Sequence, residues 1–234
     1  MPEDPGAELR ELVDSLSGWL RYQRRLGWRG LSAEAAPSPP AGSTPPPEKI
    51  LTLEEIRQEM GRCKRCHLYR GAKNLVFGEG SPSARLMFIG EAPGAEEDLQ
   101  GRPFVGAAGQ LLNNLLNKLG LEREEVYITN VVKSRPPENR DPLPEEIEAC
   151  LPYLRMQIAA IRPQVIVTLG RIAAQALLGT KEPVTQIRGQ WRRYDHIRVM
   201  PTFHPSYLLR FPRERHKTWE DMQRVMEYLE SQEE

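Results

Sequence analysis

Four short apolar runs, Leu86–Ile89, Val126–Val131, Val165–Leu169 and Ile197–Thr202, alternate with stretches of helical periodicity, and this alternation limits the fold more than any other feature. Short apolar runs bounded by Gly, Pro or Asn read as buried strands. After the first run, Leu111, Leu112, Leu115, Leu116 and Leu119 make a stripe at helical spacing. After the second, Pro144 opens a helix to about Ile161, with proline at its first turn. After the third, Arg171–Leu178 is a short helix closed by Gly179, and a last helix covers about Glu214 to Leu229. Thr52 and Glu55 stand at capping-box spacing and start a further helix through Met60. The predicted fold is α/β: three layers, α/β/α, around a mainly parallel four-stranded central sheet.

That domain occupies residues 50–234. Residues 1–30 carry Leu9, Leu12, Leu16, Trp19 and Leu20 near helical spacing and predict an amphipathic helix that needs a partner surface, with a protein partner and no partner both open. Residues 31–49 hold six prolines and predict an extended linker. No run of about 18 apolar residues is present, and the N-terminus lacks a basic start and apolar core, so no membrane association and a cytoplasmic location are expected. The formal net charge is zero, but Thr185–Lys217 has eight Lys or Arg against two acids. There is no G-x-x-x-x-G-K-[ST] phosphate loop and no G-x-S-x-G elbow.

Each predicted strand delivers polar chemistry at its carboxyl end. These are Glu91 after Gly90, Asn130 after Ile128-Thr129, Arg171 after Gly170, and His204 after Thr202-Phe203. In a parallel sheet these ends share the edge where ligands bind. The stretch from Glu91 to Phe104 reads as a long acidic loop carrying one aromatic ring. A carboxylate, an amide, an imidazole and an aromatic face suit a flat, hydrogen-bonding ring. Taken singly, the Asn reads as a turn residue, the His as a loop residue and the Phe as a core plug.

Cys63 and Cys66 have C-x-x-C spacing, which points to metal or redox chemistry. Cys63-Lys64-Arg65-Cys66-His67 also spells the c-type haem attachment pattern, which requires export. Zinc on the three cysteines and His67 is a further reading.

Gly90-Glu91-Ala92-Pro93-Gly94, Gly101-Arg102-Pro103-Phe104-Val105-Gly106, Thr129-Asn130-Val131-Val132-Lys133 and His204-Pro205-Ser206-Tyr207-Leu208 resemble the motifs of family 4 uracil-DNA glycosylases. The resemblance covers roughly residues 52–230. It implies a monomeric enzyme acting on uracil-containing DNA, which turns the base out of the stack and hydrolyses its glycosidic bond. By the match, Glu91 orients the attacking water and His204 stabilises the departing uracil. Phe104 stacks on the ring, Asn130 reads its amide edge, and Gly90 and Ala92 line the pocket. Ser206, Leu208 and Arg210 face DNA, Leu208 being either a wedge for the vacated gap or an ordinary core residue. Arg188, Arg192, Arg193 and Arg213 are further candidate phosphate contacts.

The resemblance also implies an iron–sulfur cluster, expected as [4Fe–4S], on Cys63, Cys66, Cys150 and a fourth cysteine where this chain has Ser134. Serine is a poor iron ligand beside thiolates. Ligation by Ser134, a three-iron cluster, a substitute such as His67, and loss of the cluster all stay open. Residues 136–144 contain no His of the kind that traps uracil covalently in related enzymes, so turnover is expected. The rival readings are a non-catalytic or differently specific nucleic-acid-binding member of the same fold, and a cysteine-based redox protein.

Overall fold

The computed structural model describes residues 50–232. The helix expected over residues 1–30 and the linker over 31–49 lie outside the described residues.

The four apolar runs form adjacent parallel strands: β2 (Leu86–Gly90), β3 (Tyr127–Asn130), β4 (Val165–Leu169) and β6 (Ile197–Thr202). In β2, β3 and β4 every residue is buried, because helices cover both faces of the sheet. Side chains alternate between two cores. Met87, Ile89, Ile166 and Val199 meet α4 (Pro144–Ile161) and α5 (Arg171–Leu178) through Leu154, Ile158, Ala173 and Leu177. Phe88, Ile128, Val167 and Met200 meet α3 (Ala107–Lys118) and α8 (Arg215–Glu230) through Leu112, Leu116, Met222 and Val225. These are the three expected layers.

The sheet has six strands rather than four, in the order β1-β3-β2-β4-β6-β5. The additions are short antiparallel edges, β1 (Glu79–Gly80) and β5 (Arg192–Tyr194). Neither contains an apolar run. Short, charged edges also discourage further strand addition.

The capping box holds as expected. Thr52 Oγ1 accepts from Glu55 N–H at 3.2 Å, and Glu55 Oε2 accepts from Thr52 N–H at 2.8 Å, at the start of α1 (Leu53–Met60). The acidic stretch after β2 is not all loop: residues Ala95–Gln100 form α2. A short helix α6 (Val184–Ile187) and then α7 (Pro205–Arg210) complete the elements around the sheet.

Candidate active site

The chain steps from β2 outward to β3, then returns across β2 to β4 on its other side. A crevice opens at such a reversal. It holds a pocket of about 490 Å³ whose lining includes Glu91, Ala92, Phe104, Asn130, His204, Ser206 and Arg210. The structure therefore brings residues from all four parallel strand ends, Arg171 after β4 among them, and the 101–104 loop into one cavity.

Gly90 lets two of these groups approach. A Cβ there would lie 2.4 Å from Asn130 Oδ1 and 2.5 Å from Phe104 Cζ. Gly109 does the same beneath the loop, since its Cβ would lie 1.9 Å from the Phe104 carbonyl oxygen. Asn130 is 1% exposed, and its Oδ1 has no hydrogen-bond partner among the described residues. A buried acceptor left unpaired costs about 1–3 kcal/mol, so this atom reads as awaiting a ligand's donor. Its backbone is secured from below. The fully buried Lys133 Nζ donates to Asn130 O, Thr129 Oγ1 and Gln157 Oε1 at 2.7, 2.7 and 2.6 Å.

His204 caps α7. Its Nδ1 accepts from Ser206 N–H at 3.1 Å and lies 2.8 Å from Ser206 Oγ. With Nδ1 accepting, the neutral ring carries its proton on Nε2. Desolvation pushes the imidazole down to about 4, against a weaker upward pull from Glu97. The ring centroid stands 5.7 Å from that of Phe104. Glu91 is pushed up to about 7, first by desolvation and then by Asp141, with Arg171 opposing. Asp141 and Arg171 pair at 2.6 Å on the pocket wall.

Several expectations change. Leu208 is 4% exposed and packs toward a separate apolar cavity of about 550 Å³, with Leu111, Leu115 and Trp219. It lies one helical turn after His204, so both face inward. The exposed apolar side chains beside it are Leu209 (40%) and Phe211 (51%). Arg188 is not a free phosphate contact, because it pairs with Asp221 and donates to Lys217 O at 2.6 Å. Arg210 and Arg213 are exposed.

Of the acids Glu96, Glu97 and Asp98, the first is exposed and the other two are structural. Glu97 Oε1 accepts from Val105 and Gly106 N–H, each at 2.9 Å, and Asp98 Oδ1 accepts from Lys73 N–H at 2.8 Å. The missed signal was an acidic first turn following Pro93-Gly94.

Cys63, Cys66 and Cys150 are electrostatic neighbours, and burial pushes the Cys66 and Cys150 thiols up. Lys133 N–H donates to Cys150, which places the segment carrying the buried Ser134 beside the thiols. Among the described residues, no three His, Cys, Asp or Glu are grouped to share one metal ion. His67 is engaged elsewhere, with Nε2 2.9 Å from the buried Glu146. That carboxylate also takes Arg140 bidentately at 2.9 and 2.7 Å. The zinc reading needs His67 and the three thiols around one ion, and no such grouping is found among the described residues.

This fold and pocket define an α/β/α protein with a polar, aromatic-lined pocket at the switch point of its sheet. A sequence model of the Uracil DNA glycosylase superfamily matches residues 77–230. The Type-4 uracil-DNA glycosylase of Saccharolobus solfataricus is 48% identical over 188 residues, covering 76% of this chain and 87% of that protein. Its counterpart in Thermotoga maritima is 49% identical over 162 residues, covering 68% and 83%, and that in Archaeoglobus fulgidus is 43% identical over 184 residues, covering 75% and 92%. The chain belongs to the uracil-DNA glycosylase superfamily, in its type-4 group.

Proposed function

We propose that this protein removes uracil from DNA by hydrolysing the bond between the base and its deoxyribose. The observation that carries the reading is the unpartnered, buried Asn130 Oδ1 in a cavity shared with Phe104, His204 and Glu91. A base inside a duplex cannot reach so enclosed a group, so the nucleotide turns out of the stack first. Phe104 covers the ring face. Asn130 Oδ1 accepts from uracil N3–H, and its amide N–H donates to O4. Cytosine presents the opposite pattern and leaves both groups unpaired.

As the C1′–N1 bond breaks, electrons pass to uracil and charge develops on its O2. The neutral His204 donates Nε2–H to that oxygen without giving up its proton. The Glu91 carboxylate orients water toward C1′, takes a proton as the new C–O bond forms, and stabilises the cationic sugar. Loss of one such preorganised contact typically costs about 10²–10³ in rate. The direct test is release of free uracil from a uracil-containing oligonucleotide by anaerobically purified protein. Folded protein that releases none would overturn the reading.

DNA contacts come from the mouth of the pocket, where Ser206 and Arg210 lie, and from the exposed Leu209 and Phe211. Leu209→Ala with Phe211→Ala should weaken binding to uracil-containing DNA about tenfold with little change in melting temperature, which fluorescence anisotropy and thermal unfolding would show. Leu208→Ala should instead cost about 2–5 kcal/mol of stability. A stable Leu208→Ala protein with weakened DNA binding would return the wedge to Leu208.

The donor set also fits an iron–sulfur cluster at three positions. Cys63, Cys66 and Cys150 are soft sulfur donors and electrostatic neighbours of one another, and the harder Ser134 follows Lys133, whose N–H donates to Cys150. When bound, the group cross-links these segments. Ser134→Cys should raise the iron and sulfide bound per chain, measured colorimetrically. An unchanged content would mean that this segment stands away from the cluster.

A further inference from the structure

Phe104 meets the pocket from a conformation that a bulky residue adopts at a cost: its φ is +51°. Something outside the pocket must hold it there. Arg123, in the turn before β3, is 15% exposed in its side chain and does not line the cavity. Its Nη2 donates to Pro103 O at 2.7 Å, and its Nη1 donates to Phe104 O at 3.1 Å and to Asn113 Oδ1 at 2.7 Å. Its Nε donates to Glu79 Oε1 at 3.0 Å. Glu79 is shared with Arg102, whose Nε donates to Oε2 at 2.7 Å. One planar guanidinium thus ties edge strand β1, the 101–104 loop and helix α3 together.

We propose that Arg123, braced by Glu79, is a positioning residue for base recognition: it fixes the two consecutive carbonyls of Pro103 and Phe104 and so sets where the Phe104 ring meets the uracil. This rests on the reading of the pocket as a uracil site. The geometry demands Arg rather than Lys. Four acceptors on three elements require donors spread across a rigid fork, whereas an ammonium is one point with three donors. The brace keeps its charge. Burial pushes Glu79 up, but its hydrogen bonds with Arg102 and Arg123 outweigh this and hold it below the usual carboxylate range. Gly109 closes the arrangement from the other side, against the same Phe104 carbonyl.

The test is a double-mutant cycle between Arg123→Lys and Phe104→Leu, read as single-turnover uracil release. A displacement of about 1 Å at the site costs about 10²-fold, so Arg123→Lys should lower the rate about ten- to hundredfold when Phe104 is present. In the Phe104→Leu background the same change should cost less than about twofold, because residues acting through one another are non-additive. Equal losses in both backgrounds would make Arg123 a general structural residue and overturn the proposal, as would no loss in either. If Arg123→Lys folds poorly, Glu79→Gln replaces it, with a smaller loss and the same non-additivity expected. Amide hydrogen exchange across residues 101–106 reads the clamp without activity. It should quicken at least about tenfold in Arg123→Lys, and unchanged exchange overturns the clamp. A wild-type protein that releases no uracil but shows the faster exchange in the variant keeps the clamp and counts against the proposed function alone.

Discussion

Replacing His204 with alanine is expected to lower uracil release about 10²–10³-fold, the usual cost of removing a donor aimed at developing charge. The expectation follows from how the ring is held. Ser206 N–H occupies Nδ1, so Nε2 carries the proton, and the residue lines the cavity. With its pKa pushed down to about 4 by desolvation, the imidazole stays neutral in any ordinary assay. The loss should therefore be nearly the same at every pH above about 5.

The pH dependence of the wild type should come from Glu91, pushed up to about 7 mainly by desolvation. Its role needs the carboxylate, so the rate should rise as pH rises through about 7. Asp141 raises this pKa and Arg171 lowers it. Asp141→Asn should move the acid limb to lower pH and Arg171→Gln to higher pH. A profile flat between about pH 5.5 and 8.5 would remove Glu91 from the reaction.

Asn130→Asp should lower uracil release by at least about a hundredfold and collapse the preference for uracil over cytosine by a similar factor. Polar sites that pair with a substrate edge discriminate by about 10⁴–10⁵, because the wrong partner leaves buried groups unsatisfied. At 1% exposure the new carboxyl has no water to ionise into, so burial favours its protonated form. That form accepts from cytosine N4–H and donates to N3, matching the wrong base. As a carboxylate it repels uracil O4 instead. The measurement is base release from paired oligonucleotides carrying uracil or cytosine at one position. Unchanged rate and selectivity would show that Asn130 does not read the base.

Much of this site was legible because strand ends are local features. A continuous apolar run followed by Gly90-Glu91, or by Asn130 after Thr129, marks both a strand and its carboxyl edge. Parallel order then brings distant edges together. The motifs themselves carried the family, and the relatives' identity agrees with them. Leu208 was ambiguous for a related reason. Its spacing from His204 is visible, but whether that helical face meets DNA or core depends on what packs against it.

From sequence alone came the α/β/α layering, the four parallel strands, the capped helices and the set of groups at one edge. Each rests on burial periodicity that repeats within a few residues of chain. The tertiary structure alone decided the edge strands, the inward turn of Leu208, the capture of His67 by Glu146 and the hold of Arg123 on Phe104. The first two depend on which strand pairs and which face packs alongside, and the last two are choices of hydrogen-bond partner by polar side chains. Arg123 and Glu79 are separated by 44 positions, and no local pattern announces such a pair. The same holds for the shifted acidities of Glu91 and His204. Desolvation is a property of the whole cavity, and the cavity exists only once the sheet, the 101–104 loop and helix α7 have come together.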